Sequence, residues 1–136
     1  MLEMPAGKKM RIEVTQLPPV EYSLNWRGHW AERYGAAAVW AYRNAVYYSC
    51  VDARNRALAS GKLAFIRAKL SLTFVFPEHR RRDRDNLLSR FKPGLDGIVA
   101  SGLLVDDDAE HLEISGVDIV VDRKRAPLTV IDLEQM

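Results

Sequence analysis

The sequence predicts an α+β fold: a small mixed β-sheet packed with two main helices, in the order strand-helix-strand-helix-strand-strand. Three observations predict it. Leu70, Leu72, Phe74 and Phe76 alternate with Lys69, Ser71, Thr73 and Val75, the two-residue period of a strand. Val39, Tyr42, Val46, Cys50, Ala53 and Ala57 recur at three or four, the period of a helix face. Two further strand-like stretches close the chain after a second helical segment.

The elements follow in order. Residues 1–9 are expected to form a flexible tail, and residues 10–136 a single domain. Met1 to Met10 lacks the apolar core of a signal peptide. Ile12 and Val14, set between Arg11, Glu13 and Thr15, mark a first strand, which Pro18 and Pro19 end. Residues 18–29 read as a loop. The first helix is expected from about Trp30 to Ser60, with Gly61 as its stop. Pro77 closes the second strand.

Asp85 is placed to cap a second helix whose apolar face is Leu87, Leu88, Phe91, Leu95, Ile98 and Val99. Pro93 lies inside that helix, so a kink or break is expected there. Gly102 ends it. Leu112 and Ile114 begin a third strand, and Val117, Ile119 and Val121 continue it in the opposite phase. The change predicts a bulge at Ser115 and Gly116. Residues 122–127 form a turn, and Leu128 to Leu133 the last strand.

A length of 136 residues fits one domain. One cysteine, Cys50, excludes an internal disulfide, and its apolar surroundings make it a core residue. A reducing, cytoplasmic location is the simpler expectation. No run of about twenty apolar residues exists, so no membrane span is expected. The net charge of +2 decides nothing; its distribution does. His79, Arg80, Arg81, Arg82 and Arg84 form a basic knot, while Asp106, Asp107, Asp108, Glu110 and Glu113 form an acidic cluster.

Asp83 and Asp85 are two residues apart, at the end of a strand and the mouth of a helix. In an extended stretch they point the same way and can share a hard cation such as magnesium. The alternative is an N-cap at Asp85 and a counter-ion at Asp83. Asn86 can cap or ligate through its amide oxygen. Asp106, Asp107 and Asp108 repel one another, a penalty that solvent or a cation relieves. For the two acidic sites to meet, the chain after Gly102 must return along the helix, with Leu103, Leu104 and Val105 packing on the core.

Four arginines beside two carboxylates suit a polyanion drawn onto a metal, since guanidinium groups fork onto phosphate oxygens. Lys92 lies seven residues after Asp85, on the face of Asp85 and Asp96; it reaches a phosphate or pairs with Asp96. Trp26, Arg27, His29, Trp30, Arg33 and Tyr34 form an aromatic and basic patch that covers a core edge or stacks on unpaired bases. An EF-hand is excluded: counted from Asp83 or Asp106, the sixth position is Leu88 or His111 instead of glycine. His79 and His111 have no second His or Cys at zinc-ligand spacing.

The segment Arg80-Arg81-Arg82-Asp83-Arg84-Asp85-Asn86-Leu87, followed by Lys92-Pro93, Leu95-Asp96-Gly97, Gly102 and Val105-Asp106-Asp107-Asp108, resembles the RusA family of Holliday junction resolvases, found in phages and prophages. The match is good over residues 76–112 and looser elsewhere. The resemblance implies a crossover junction endodeoxyribonuclease of bacterial or phage origin. It would work as a homodimer that resolves four-way DNA junctions in recombination and repair by paired symmetric nicks. It implies magnesium, with manganese as a substitute, held by Asp83, Asp85 and Asp107. Lys92 would be the catalytic lysine, with DNA contacts from Arg80, Arg81, Arg82 and Arg84. Two departures stand. Counted forward from Asp85, the lysine position holds Ser89, so three extra residues separate Lys92 from the aspartates. The third aspartate of the loop leaves Asp108 as an alternative to Asp107. Two rivals also stand: a nuclease of flaps or other branched DNA, and a non-catalytic protein that binds branched DNA.

Overall fold

The computed structural model describes residues 2–24, 28, 36–57 and 63–136. The patch of Trp26, Arg27, His29, Trp30, Arg33 and Tyr34 lies outside the described residues, as do the expected start of the first helix near Trp30 and its stop at Gly61.

The elements are β1 (Leu2–Glu3), β2 (Lys9–Val14), a 3-10 turn (Val20–Tyr22), α1 (Ala37–Ala57), β3 (Leu63–Ala64), β4 (Ala68–Phe76), α2 (Arg84–Arg90), α3 (Lys92–Ala100), β5 (Leu112–Val121) and β6 (Leu128–Gln135). Four strands make one mixed sheet in the order β2-β6-β4-β5. β4 pairs antiparallel with β6 and parallel with β5, and β6 pairs antiparallel with β2. The fold is α+β, with three α-helices among the described residues where the sequence suggested two main ones.

β4 sits centrally because its alternation gives it a fully apolar face. Leu70, Leu72, Phe74 and Phe76 are buried in the main core with Ile131 and Leu133 of β6 and Tyr42, Val46 and Cys50 of α1. Burial raises the Cys50 thiol to about 12, which makes it an inert core group. Val75, on the opposite face, is buried with Leu128 and Val130. The bulge in β5 falls where the phase of its apolar residues changes. Ile114 pairs with Leu70 and Gly116 with Ser71, leaving Ser115 as the extra residue. Ser115 Oγ sits 2.7 Å from Ser71 Oγ and bridges the irregularity.

The expected single helix after Asp85 is two. The break is at Phe91, two residues before Pro93, which occupies the first turn of α3, where its missing N–H is tolerated. Phe91 is buried edge-on to Tyr42 and Phe74, so the break is anchored in the core. Gly97 lets α3 lie against α1: an added Cβ would stand 2.6 Å from the Arg43 carbonyl oxygen. Gly102, with φ +79°, turns the chain out of α3.

Residues 2–9 differ from the loose tail expected. β1 pairs with β3, the Met4 side chain is buried, and Met4 N donates to Ala64 O at 2.8 Å. Single apolar residues such as Met4 carry no periodicity, so the sequence gives no sign of this anchoring. Asp85 is also not the cap. The N-cap of α2 is Asp83, in extended conformation and without a side-chain cap bond, while Asp85 lies in the first turn. Its carboxylate there suits the positive end of the helix. Among the described residues no helix is long and apolar enough to cross a membrane.

Candidate metal and nucleic-acid site

β4 delivers the chain through Pro77 into the basic knot, and α2 starts directly after it. Asp83 and Asp85 therefore stand where an extended segment becomes a helix. Both are exposed, and neither carboxylate has a hydrogen-bond or ion-pair partner among the described residues. They line an open hollow of about 400 Å³ with Leu24, Arg82, Arg84 and Asn86. An adjoining hollow of about 420 Å³ shares Arg82, Asp83 and Asn86 and adds Arg80, Arg81 and Arg90.

The arginines have different duties. Arg80 and Arg81 are exposed. Arg82 is tucked in, its side chain only 10% exposed. Its guanidinium lies 3.6 Å over the Phe76 ring, donates to the Glu78 and Arg80 carbonyls, and pairs with Glu78 Oε1 at 3.0 Å. It shapes the turn that presents its neighbours. Arg84 Nε donates to Val117 O at 2.9 Å, tying the start of α2 to β5.

The chain after Gly102 does return along the helix. Phe65 N donates to Leu103 O and Val105 N to Phe65 O, and Leu103 and Leu104 are buried. The return reaches the start of α3. There Lys92 Nζ donates to Asp107 Oδ2 at 2.8 Å and stands 3.2 Å from Asp96 Oδ1. The Asp107 hydrogen bond raises the Lys92 ammonium pKa, and the same bond lowers that of the Asp107 carboxyl. Of the two alternatives for Lys92, the pairing with Asp96 is present, and the bond to Asp107 is one the sequence did not suggest.

The contact Asp107 makes is with Lys92, at the start of α3. The other two loop aspartates are engaged locally. Asp106 Oδ1 accepts Asp107 N at 2.7 Å. Asp108 Oδ1 accepts Glu110 N and His111 N at 3.1 Å and lies 2.6 Å from His111 Nδ1, which lowers its pKa. Among the described residues, Asp106, Asp108 and His111 are the group whose ligand atoms lie within 4.8 Å of one another. Asp108 and His111 are joined by hydrogen bonds, whereas Asp106 bonds to the Asp107 N–H. Asp83 and Asp85 have the donor chemistry for a hard cation, and Asp107 has it once Lys92 is displaced.

Sequence reasoning missed Arg90 and the role it shares with Asn86 and Ser89. Together they form the polar face of α2 and hold the loop after β2. Their i, i+3, i+4 spacing, opposite Leu87 and Phe91, was the available signal. A larger hollow of about 500 Å³ lies elsewhere, lined by Lys9, Arg11, Lys69, Asp132 and Glu134. Arg11 pairs there with Asp132 at 2.8 Å across two strands, an ordinary solvated ladder. The chain matches no protein-family model and no curated protein.

Proposed function

We propose that this protein is a magnesium-dependent, structure-specific endodeoxyribonuclease that hydrolyses phosphodiesters in branched DNA, with four-way junctions as the preferred substrate. The observation that carries the reading is the pair of exposed carboxylates, Asp83 and Asp85, unpartnered among the described residues, beside the exposed Arg80 and Arg81. Solvent and the positive end of α2 favour acids at this helix mouth, and a cation and a phosphate would engage acids and arginines together. The RusA-like order of these residues supports the same reading.

Asp83 and Asp85 would hold the metal, with manganese as a substitute, and Asp107 would join them on release from Lys92. The metal supplies, when bound, a water of lowered pKa and a positive charge against the transition state. Arg80 and Arg81 would neutralise backbone phosphates, giving affinity without sequence preference. Arg82 and Arg84 would act on DNA through the turn they shape. Lys92, freed from Asp107, would neutralise the phosphate or the leaving oxygen. A single chain offers one such site, and resolving a junction needs two cuts, so the working unit is proposed to be a homodimer. The setting is proposed to be DNA recombination and repair in a bacterial or phage-infected cytoplasm.

One observation favours a second reading, a non-catalytic protein that binds branched DNA: Asp107, the expected third ligand, is paired with Lys92. Labelled four-way junctions, flaps and continuous duplexes, incubated with and without magnesium, separate the two. Magnesium-dependent nicks near the branch support the nuclease. Tight junction binding without nicks at any magnesium or manganese concentration supports the binder.

A further inference from the structure

The loop between β2 and α1 is held against α2 through its main chain. Asn86 Oδ1 accepts Leu24 N at 2.8 Å, and Ser89 Oγ donates to Tyr22 O at 2.6 Å. Arg90 donates from Nη2 and Nε to Pro18 O at 2.7 and 3.2 Å. Pro18 and Pro19 of this loop are buried and Leu17 packs on the core, while other loop side chains face outward. Two of them are large and apolar: Leu24 is 63% exposed and Val20 55% exposed. Leu24 lines the hollow of Asp83 and Asp85, and Val20 lines the hollow of Arg80 and Arg81.

Exposed apolar side chains fixed beside a phosphate-binding knot match a particular feature of DNA. A continuous duplex presents sugars and phosphates on its outside and keeps its base faces stacked. An apolar side chain gains contact with a base face only where the stack is interrupted or pried open. Arginines alone would bind both forms, because phosphate contacts carry no such information.

We propose that Leu24, backed by Val20, is the contact that makes the site prefer branched DNA over continuous duplex, and that Asn86, Ser89 and Arg90 are the positioning residues that hold it there. The proposal rests on the DNA-binding part of the reading above and not on cleavage. It also gives Ser89 a duty at the position where the forward count from Asp85 places the family's lysine: it fixes the loop.

Binding measured by fluorescence anisotropy in chelator tests this apart from cleavage. The probes are a labelled four-way junction and a continuous duplex of the same arm sequences. Leu24→Ser lies on the surface and should weaken junction binding by about tenfold while leaving duplex binding unchanged. Leu24→Phe should keep the preference. Ser89→Ala, which keeps the Leu24 side chain but frees one tie of its loop, should lower the same ratio by a smaller factor. A 2-aminopurine base at the branch should change its fluorescence on binding the wild-type protein and not on binding Leu24→Ser. Equal losses on both DNAs, no loss on either, or a wild-type protein without preference for the junction would each overturn the proposal. A Leu24-dependent preference in a protein that never nicks would support it and refute the nuclease reading alone.

Discussion

The turn between β4 and α2 and the loop between α3 and β5 each concentrate carboxylates, and they handle the charge in opposite ways. In the loop every aspartate is engaged: Asp106 with Asp107 N, Asp107 with Lys92, Asp108 with Glu110 and His111. In the turn, Asp83 and Asp85 have no partner among the described residues, and the arginine closest in sequence on either side is bound elsewhere. A buried or crowded charge is costly only while it is unsatisfied. The loop resolves its repulsion internally, and the turn leaves its acids exposed to solvent. That difference places the weight of the functional proposal on Asp83 and Asp85 and makes the part played by Asp107 conditional on Lys92 letting go.

The largest effect expected is at the turn. Asp83→Asn or Asp85→Asn should cut branched-DNA cleavage by more than the roughly 100-fold that loss of an outer-sphere metal partner costs. Junction binding in chelator should hold or improve, because a negative charge is removed from a phosphate-binding surface. Wild-type cleavage by Asp85→Asn at limiting magnesium would break the comparison at its root.

The loop should split into two signatures. Asp107→Asn should lower cleavage by about tenfold or more, raise the magnesium needed, and leave thermal stability nearly unchanged. Asp108→Ala should do the reverse, lowering the thermal midpoint through loss of the local bonds to Glu110 and His111 while cleavage stays near wild type. Reversed signatures would show that the register of the loop slips by one and that Asp108 is the functional acid. Cleavage assays across magnesium concentrations, with melting curves of the same preparations, decide it.

Arg81→Ala and Arg82→Ala sharpen the same contrast on the basic side. Losing Arg81 should weaken binding for all sequences and flatten the log-log salt dependence by about one unit. Losing Arg82 should destabilise the fold by about 1–2 kcal/mol, since its ring stacking and turn bonds go together. Equal salt slopes in wild type and Arg81→Ala would make the knot a solvated surface.

The smallest effect is the pH dependence of the Lys92–Asp107 pair. The lowered Asp107 pKa gives stability that is present above the ordinary carboxylate value of about 4 and is lost as pH falls through the folded-state value. The raised Lys92 pKa gives stability that is present below about 10.4 and is lost as pH rises through its folded-state value. Lys92→Met should therefore be less stable than wild type by at most about 1 kcal/mol between those limits. The gap should close in acid and in strong base. A gap that persists unchanged at pH 2 would assign it to packing of the lysine stem.

Much of this was legible because periodicity reports burial. The alternation at Leu70 to Phe76, the spacing from Val39 to Cys50 and the phase change at Ser115 each matched an observed face or bulge. Pairing partners were not legible, since nothing local says that β4 runs parallel to β5 or that Met4 finds the core. Residue types marked the site, and their duties emerged only in three dimensions. Arg82 and Arg84 read as DNA contacts, and in the fold the first stacks on Phe76 while the Nε of the second, an exposed side chain, bonds to β5. An arginine side chain is long enough to serve backbone, ring or phosphate, and sequence does not choose among them.

The central claim is that unsatisfied carboxylates at the mouth of α2 make this a metal-dependent nuclease of branched DNA. The most direct measurement is nicking of a labelled four-way junction by the wild-type protein as magnesium is titrated from chelator upward. The account predicts no product in chelator and paired, symmetric nicks near the branch that rise with magnesium. Firm junction binding with no nick at any magnesium or manganese concentration would contradict it.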